Sequence, residues 1–469
     1  MRQIFLSLAF ITCGIFTLTQ KVNAQGDGNP VPLSLDDCMN YALKHNYAIK
    51  NSKLDVKIQQ AQNNEITAAA YPRISGKAEL DDYVNPSKTF FPTGQFGEII
   101  GSFIPGAPAP PPGAADQYTA IQISPKYAGS FGLSGSQTLF DGTVLVALQA
   151  RNTVMELSRQ NGEVTEENVR YNITKAYGAL VIAYRQYNII SSSLKYARDR
   201  YHDLEVTQQN GMAEKIDVER SSVQITNLAT DSISIGNMLV LSEAALKYNI
   251  GMDINTPIVL TDTNLEERKQ AALELLNEEK DYNRVPEYSL LKTQLQADEY
   301  NLKRYKLAGL PTLSIFGNAG YNYASNDIHQ MFLGPNYLFS FLTGLQLNVP
   351  IFNGFMRTNQ VEEARLNIEK VKNNIDNEKL TIDFQETQAR TSLRNSVLQA
   401  QSQNRNLAIA SDVLDLAQKK YKAGVGSNLE VTNAQTDQLT AQNNYFNALL
   451  NVINAEADLK KALGLLKNN

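Results

Sequence analysis

Between Gly354 and Tyr421 apolar side chains recur three and four positions apart: Ala364, Ile368, Val371, Ile375, Ile382, Ala389, Leu393, Val397, Ala400, Leu407 and Leu414. That spacing draws one apolar stripe along a helix, with a coiled-coil-like seam. The span holds 68 positions and no proline, and Gly142–Gln209 is a second proline-free span of 68. At 1.5 Å per residue, each predicted helix is roughly 100 Å long. A globular domain cannot enclose such a helix, so the pattern predicts a rod or tube. Lys215–Ile250 and Ser427–Leu463 read as returning helices, closed by Gly251 and Gly464. Shorter helices are predicted at Leu35–His45 (Ser34 as N-cap), Ala48–Ala70, Glu287–Ala308 and Asn264–Asn277.

The pattern changes to a period of two elsewhere. Leu313, Ile315, Ala319, Tyr321 and Tyr323 alternate with Ser314, Asn318, Gly320 and Asn322. Phe339, Phe341, Thr343, Leu345, Leu347, Val349 and Ile351 alternate with Ser340, Gly344, Gln346 and Asn348. Arg73–Tyr83 and Tyr127–Leu139 carry weaker versions. Strands of about ten residues with aromatic ends and one small or polar face fit a transmembrane β-barrel. Two soluble hairpins are the alternative. Phe90–Ala115, with its run Pro108-Ala109-Pro110-Pro111-Pro112, reads as an exposed extracellular loop.

Four landmarks recur in order. Tyr71-Pro72-Arg73-Ile74-Ser75 returns as Leu310-Pro311-Thr312-Leu313-Ser314, and Leu139-Phe140-Asp141-Gly142 as Ile351-Phe352-Asn353-Gly354. Gly211 with Ile216-Asp217-Val218 returns as Gly424 with Leu429-Glu430-Val431, and Leu246-Lys247…Ile250-Gly251 as Leu459-Lys460…Leu463-Gly464. The ordered set predicts an internal tandem duplication of a unit of about 200 residues. The expected organisation is N-terminal helices at 25–71, a β-hairpin with a long Pro-rich loop at 72–140 and a helical hairpin at 141–251. A linker follows at 252–285, then a helix at 286–310, a second β-hairpin at 311–352, a second helical hairpin at 353–464 and a tail at 465–469.

Composition narrows the setting. The 469 residues include 43 Lys+Arg against 48 Asp+Glu, and this acidic balance argues against a nucleic-acid binder. Residues 1–24 read as a signal peptide: Arg2, the apolar run Ile4–Leu18, and a small-residue cleavage site ending at Ala24. Cys13 lies inside the apolar run, in a context poor for lipoprotein processing. Only Cys38 then remains in the mature chain, so no intramolecular disulfide is possible. Stability must come from size or assembly.

Assembly also follows from closure. Four strands in lipid leave two edges of unpaired backbone groups, which a bilayer cannot satisfy. Closed membrane barrels have about eight strands or more. Several chains must therefore contribute to one barrel.

The ordered landmarks resemble the TolC-like outer-membrane efflux proteins of Gram-negative bacteria, over about Leu35 to Gly464. The resemblance implies a mostly α fold with a small β part. Long antiparallel helical hairpins would form a trimeric α-barrel, and four strands per chain a shared twelve-stranded transmembrane β-barrel. Pro72, Phe140, Gly142, Pro311, Phe352 and Gly354 would mark the strand–helix junctions. It implies a homotrimer in outer-membrane lipid. A periplasmic adaptor protein and an inner-membrane pump, RND-type or ABC-type, would dock at the tunnel tip. The chain would be the exit duct of a tripartite efflux or type I secretion system. Gly211-Met212 and Gly424-Val425 match the adaptor-docking hairpin tips, which are also plain glycine turns between antiparallel helices. Asp217 and Tyr421 match positions whose hydrogen bonding holds the closed entrance, and Glu430 matches an acidic ring position. The chain departs from the family pattern twice. Asn433 takes the second acidic ring position, and Gly426 stands where the pattern has arginine. A charged latch to Asp217 is then missing, and the entrance should open more easily.

No enzyme signature is present: no phosphate loop, no His-Glu-x-x-His, no nucleophile elbow. His45, His202 and His329 are dispersed, so no catalytic, cofactor or metal site is expected. With no nucleotide-binding motif, energy must come from a partner. A secreted trimeric coiled-coil rod, structural or adhesive, is the competing reading. It explains the helices but not the paired alternating strands.

Overall fold

The computed structural model describes residues 30–92, 118–262, 272–333 and 337–466. The expected signal peptide, Cys13, the Pro108–Pro112 run and the first part of the expected helix at 264–277 lie outside the described residues. The described part of that helix, 272–277, is helical, ending in a 3₁₀ turn at Leu275–Asn277. No helix among the described residues is long and apolar enough to cross a membrane.

The helices are α1 (Leu35–His45), α2 (Tyr47–Ala68), α3 (Gly142–Gln209), α4 (Lys215–Ile250), α5 (Pro286–Leu307), α6 (Ile328–Leu333), α7 (Met356–Lys422) and α8 (Asn428–Ala462). The strands are β1 (Val31–Leu33), β2 (Arg73–Asp82), β3 (Lys88–Pro92), β4 (Tyr118–Gln122), β5 (Tyr127–Phe140), β6 (Ile258–Leu260), β7 (Thr312–Ser325) and β8 (Tyr337–Asn348). The chain folds as two compact units, to both of which α3, α7 and α8 contribute.

One unit comprises 48–168, 277–392 and 458–469 and holds the main sheet. β2, β5, β7 and β8 pair antiparallel in that order, so β2 and β8 each pair on one side only. Register fixes the faces. Phe131, Tyr321 and Phe339 fall in one cross-strand row, and Leu133, Ala319 and Phe341 in the next. Ser134 sits opposite Ser75 and Asn318, and Ser130 opposite Glu79 and Asn322, on the other face. With a period of two, this separates an apolar face from a mainly polar one of serine, asparagine and, on β2, Arg73, Lys77, Glu79 and Asp81, on which Phe316, Leu338 and Leu342 also fall. The apolar side chains are not covered: Phe341 and Leu345 are each 67% exposed.

Two features of this unit differ from expectation. The connection between β2 and β5, expected as a long loop, contains the short antiparallel pair β3–β4, closed by a Ser87–Ser124 hydroxyl contact of 2.6 Å. The helix expected from Gly354 starts at Met356, because Gly354 (φ 63°) and Phe355 (φ 64°) both take left-handed backbone. Phe355 is turned by this onto Phe352, with ring centroids 5.4 Å apart. The segment 277–285 is strapped onto α7. Lys280 Nζ (2.6 Å) and the Tyr282 hydroxyl (2.7 Å) both donate to Asp383 Oδ1, and Arg390 donates to the Glu278 carbonyl. Those bonds hold Asp383 below the usual carboxylate range, and the bond to Asp383 raises Lys280.

The other unit comprises 1–47, 169–276 and 393–457. α1 starts at a capping box: Ser34 Oγ accepts from the Asp37 N–H and Asp37 accepts from the Ser34 N–H, both at 3.0 Å. Cys38 is buried beneath it as a free thiol, pushed up to about 12 by burial. β1 and β6, neither expected, pair in parallel, and the Tyr177 hydroxyl ties them to α3 by donating to the Leu33 and Asp262 carbonyls. Of the stripe read on α7, Ala364, Val371, Ile375, Ile382 and Ala389 are buried in the first unit, and Leu393, Val397 and Ala400 in this one.

Candidate functional site at the helical hairpin tips

α3 and α4 form one antiparallel hairpin, and α7 and α8 another. Ile190, Ala197 and Leu228 seal the first. Ala417, Val431 and Ala434 seal the second, with Leu414 and Tyr421 packed against them. The turns are alike. Gly211 N–H donates to the Gln208 carbonyl (2.9 Å) and Met212 N–H to that of Thr207 (3.0 Å). Gly424 N–H donates to Tyr421 (3.0 Å) and Val425 N–H to Lys420 (3.1 Å). These are paired C-terminal caps with glycine in the left-handed region, φ 75° and 74°. Met212 and Val425 then stand out into solvent, 76% and 79% exposed.

The gate candidates divide into two groups. Asp217 and Tyr421 belong to one cluster, although no bond joins them directly. Asn428 Nδ2 donates to Asp217 Oδ1 (3.3 Å), Arg200 Nη2 donates to Asn428 Oδ1 (2.5 Å), and the Arg200 guanidinium lies 5.1 Å from the Tyr421 ring centroid. One residue from each of the four helices therefore meets here, and the cluster braces the two hairpins side by side. Gln224–Gln435 (3.3 Å) and Gln418–Tyr196 (3.1 Å) add to the brace. Asp217 also sits in the first turn of α4, where the helix dipole favours a carboxylate.

Glu430 and Asn433 form the second group. They lie three apart on α8, hence on one face, and both are exposed. Glu430 N–H donates to Ser427 Oγ (3.2 Å), and its carboxylate projects into solvent near the positive end of α8. Gly426 packs against the last turn of α7: a Cβ there would lie 3.0 Å from the Tyr421 nitrogen. The close turn itself disfavours a side chain at that position.

Arg200 and Asn428 were not singled out from the sequence. Asn428 follows Ser427, the expected start of the returning helix, and carries no other signal. Arg200 sits three turns above Gly211 in an unbroken helix, and its position in the second repeat is held by Val413, so the repeat pattern hides it.

The junction residues belong to the unit that holds the main sheet. Asp141 caps α3 through the Thr143 N–H and hydroxyl (both 2.7 Å). Gly142 lies where a Cβ would meet the Leu307 carbonyl at 2.9 Å, which seats α3 against the end of α5. Phe140 and Phe352 are exposed, and Pro72 and Pro311 directly precede β2 and β7.

The profile of the outer membrane efflux protein family matches residues 290–465. The toluene efflux pump outer membrane protein TtgC of Pseudomonas putida is 24% identical over 364 residues, covering 73% of this chain and 70% of that protein. The outer membrane protein TolC of Escherichia coli is 21% identical over 355 residues, covering 72% and 70%. Among solved structures, the fold is shared with the Campylobacter jejuni CmeC outer membrane channel (TM-score 0.67, 19% identity, covering 92% of this chain and 85% of that one). It is also shared with VceC of Vibrio cholerae (TM-score 0.64, 15% identity, 92% and 96%). In the family match, residues 290–465 take in the second β-hairpin and the α7–α8 hairpin with its tip.

Proposed function

We propose that the chain is the outer-membrane exit duct of a tripartite efflux system, one third of a homotrimer that closes a twelve-stranded barrel in the outer membrane. The observation that carries this reading is the main sheet: one exposed apolar face, one polar face, and two strand edges left open. An apolar face with an aromatic row at Phe131, Tyr321 and Phe339 suits lipid, and the serine and asparagine rows suit a wet lumen. The open edges of β2 and β8 need partners, because lipid offers none. A second copy supplies them, β8 of one chain beside β2 of the next. The competing coiled-coil rod has no use for this sheet.

The paired succession of helix, two strands, long helix and returning helix supports a tandem duplication: 68 and 67 residues in α3 and α7, 36 and 35 in α4 and α8. The helical hairpins extend the duct into the periplasm and present Met212 and Val425 to a periplasmic adaptor, which links the duct to an inner-membrane pump. The Arg200–Asn428–Asp217 brace with Tyr421 holds the two hairpins together at the entrance. Glu430 supplies one acidic group per chain to the pore. Planar-bilayer recording tests the reading: the purified protein should insert and conduct, and Glu430→Gln should lower its preference for cations. A protein that never inserts, or inserts without conducting, would refute it.

A further inference from the structure

A cleft of about 280 Å³ lies between α2, α3 and α5, floored by Ile66, Val146, Ala150 and Val154. Two arginines stand at it from different walls, Arg151 of α3 and Arg304 of α5. Arg151 is held in place: its Nε donates to the Leu148 carbonyl (3.3 Å) and its Nη1 to Thr67 Oγ1 of α2 (2.8 Å). Arg304 donates to Asn301 Oδ1 (2.8 Å). Neither guanidinium pairs with a carboxylate among the described residues. Two arginines among the lining of a largely apolar cleft suit an anion that carries an apolar tail.

The place in the fold selects the class of ligand. Ile66 is two residues from the end of α2, Arg304 three from the end of α5, and Val146 four from the start of α3. All three helices join strands of the main sheet at those ends. If that sheet spans the outer membrane, the cleft starts just under the inner leaflet, near headgroup level at Val146, and runs down to Arg151, nine residues or roughly 13 Å into α3. We propose that this cleft binds the phosphate of an anionic phospholipid of the periplasmic leaflet, with Arg151 and Arg304 on the phosphate and the apolar floor against the first acyl carbons. A basic pocket between helices at a membrane face is suited to such a headgroup. The inference rests on the barrel reading given above, which supplies the position of the bilayer.

The test uses the intact assembled protein. It is reconstituted with equal phosphatidylglycerol and phosphatidylcholine, stripped with detergent, and weighed with its retained lipid by native mass spectrometry. The expected result is selective retention of phosphatidylglycerol, reduced about tenfold in Arg151→Gln/Arg304→Gln. Lys370→Gln/Lys372→Gln, an equal charge change on α7, should leave it unchanged. If the double variant does not assemble, Arg304→Gln alone, at an exposed position, should weaken retention in the same direction. Equal retention with and without the arginines would overturn the proposal. So would full displacement of lipid by inorganic phosphate, which would mark a plain anion site. A protein that does not enter the detergent phase at all refutes the barrel reading, whereas one that enters it without lipid preference refutes only this inference.

Discussion

Four long helices end in the same backbone motif, yet two of the endings are packed and two are open. α4 and α8 end at Gly251 and Gly464 with the same paired caps as the tips: Gly251 to Tyr248 and Met252 to Lys247, Gly464 to Lys461 and Leu465 to Lys460. All four glycines are left-handed, φ 67° to 76°. The surroundings differ. A Cβ on Gly251 would lie 2.7 Å from the His45 carbonyl oxygen, and one on Gly464 2.5 Å from that of Arg284. A Cβ on Gly211 or Gly424 would meet nothing within 4 Å. The following apolar residue normally folds back onto its helix. Met252 and Leu465 are half-buried, but Met212 and Val425 face solvent. The same local chemistry thus makes a fixed joint at one end of each returning helix and an exposed apolar knob at the other. The knobs are what a docking partner would cover.

That contrast can be broken in graded steps. The largest effect belongs to Gly251→Ala and Gly464→Ala, where left-handed strain adds to a backbone clash. Each should cost about 3 kcal/mol or more and sharply lower the yield of folded protein, read by heat-induced dissociation on gels. Next comes the tip brace. Arg200→Ala removes a charge-assisted bond worth about 1 kcal/mol at a half-exposed site, and Asp217→Ala removes its far end. A change of that size shifts a two-state opening equilibrium roughly fivefold, so single-channel conductance or open time should rise in both variants. Unchanged conductance in both would remove the brace from the gate. Gly426→Arg should not tighten the entrance, because its Cβ would crowd Lys420 and the Tyr421 nitrogen at 3.0 Å and displace the turn; a lower conductance in that variant would contradict this. Gly211→Ala and Gly424→Ala should cost only about 1 kcal/mol each, from φ alone. Met212→Ser/Val425→Ser should leave thermal stability unchanged while weakening capture of the adaptor.

The strap responds to acid in a direction set by Asp383. Its native carboxyl is held below the unfolded value of about 3.9, so its contribution is full above that pH and is lost as pH falls through the native value. Lys280, raised in the fold, contributes below about 10.4 and loses that as pH rises through its native value. The hydrogen-exchange protection factors of 277–285, corrected for the intrinsic pH dependence of exchange, should therefore fall below about pH 4 and be flat near neutrality, and Asp383→Asn should remove the acid step.

Much of this architecture is legible in residue order because periodicity and glycine act locally. The seam of α7, the bounds of α3 and α4, and the alternation of β7 and β8 each follow from spacing over a few residues. The Ser34 cap and the tip glycines follow from single residue types with a fixed backbone role. What is not legible depends on distance or on too few residues. β1 and β6 are three residues each and exist because Tyr177, far along the chain, holds them. β3 and β4 sit in Ser-, Thr- and Pro-containing sequence that carries no alternation. Phe355 adopts a conformation its side chain disfavours, and only packing on Phe352 reveals it. Arg200 meets Asn428 across 228 positions, a contact that no local pattern encodes.

The central claim is that the open edges of one four-stranded sheet are closed by further copies of the chain. The mass of the unheated complex extracted from outer membranes in mild detergent measures this directly. Three chains in one complex, falling to one on heating, is the predicted result. A conducting barrel with the mass of a single chain would contradict it.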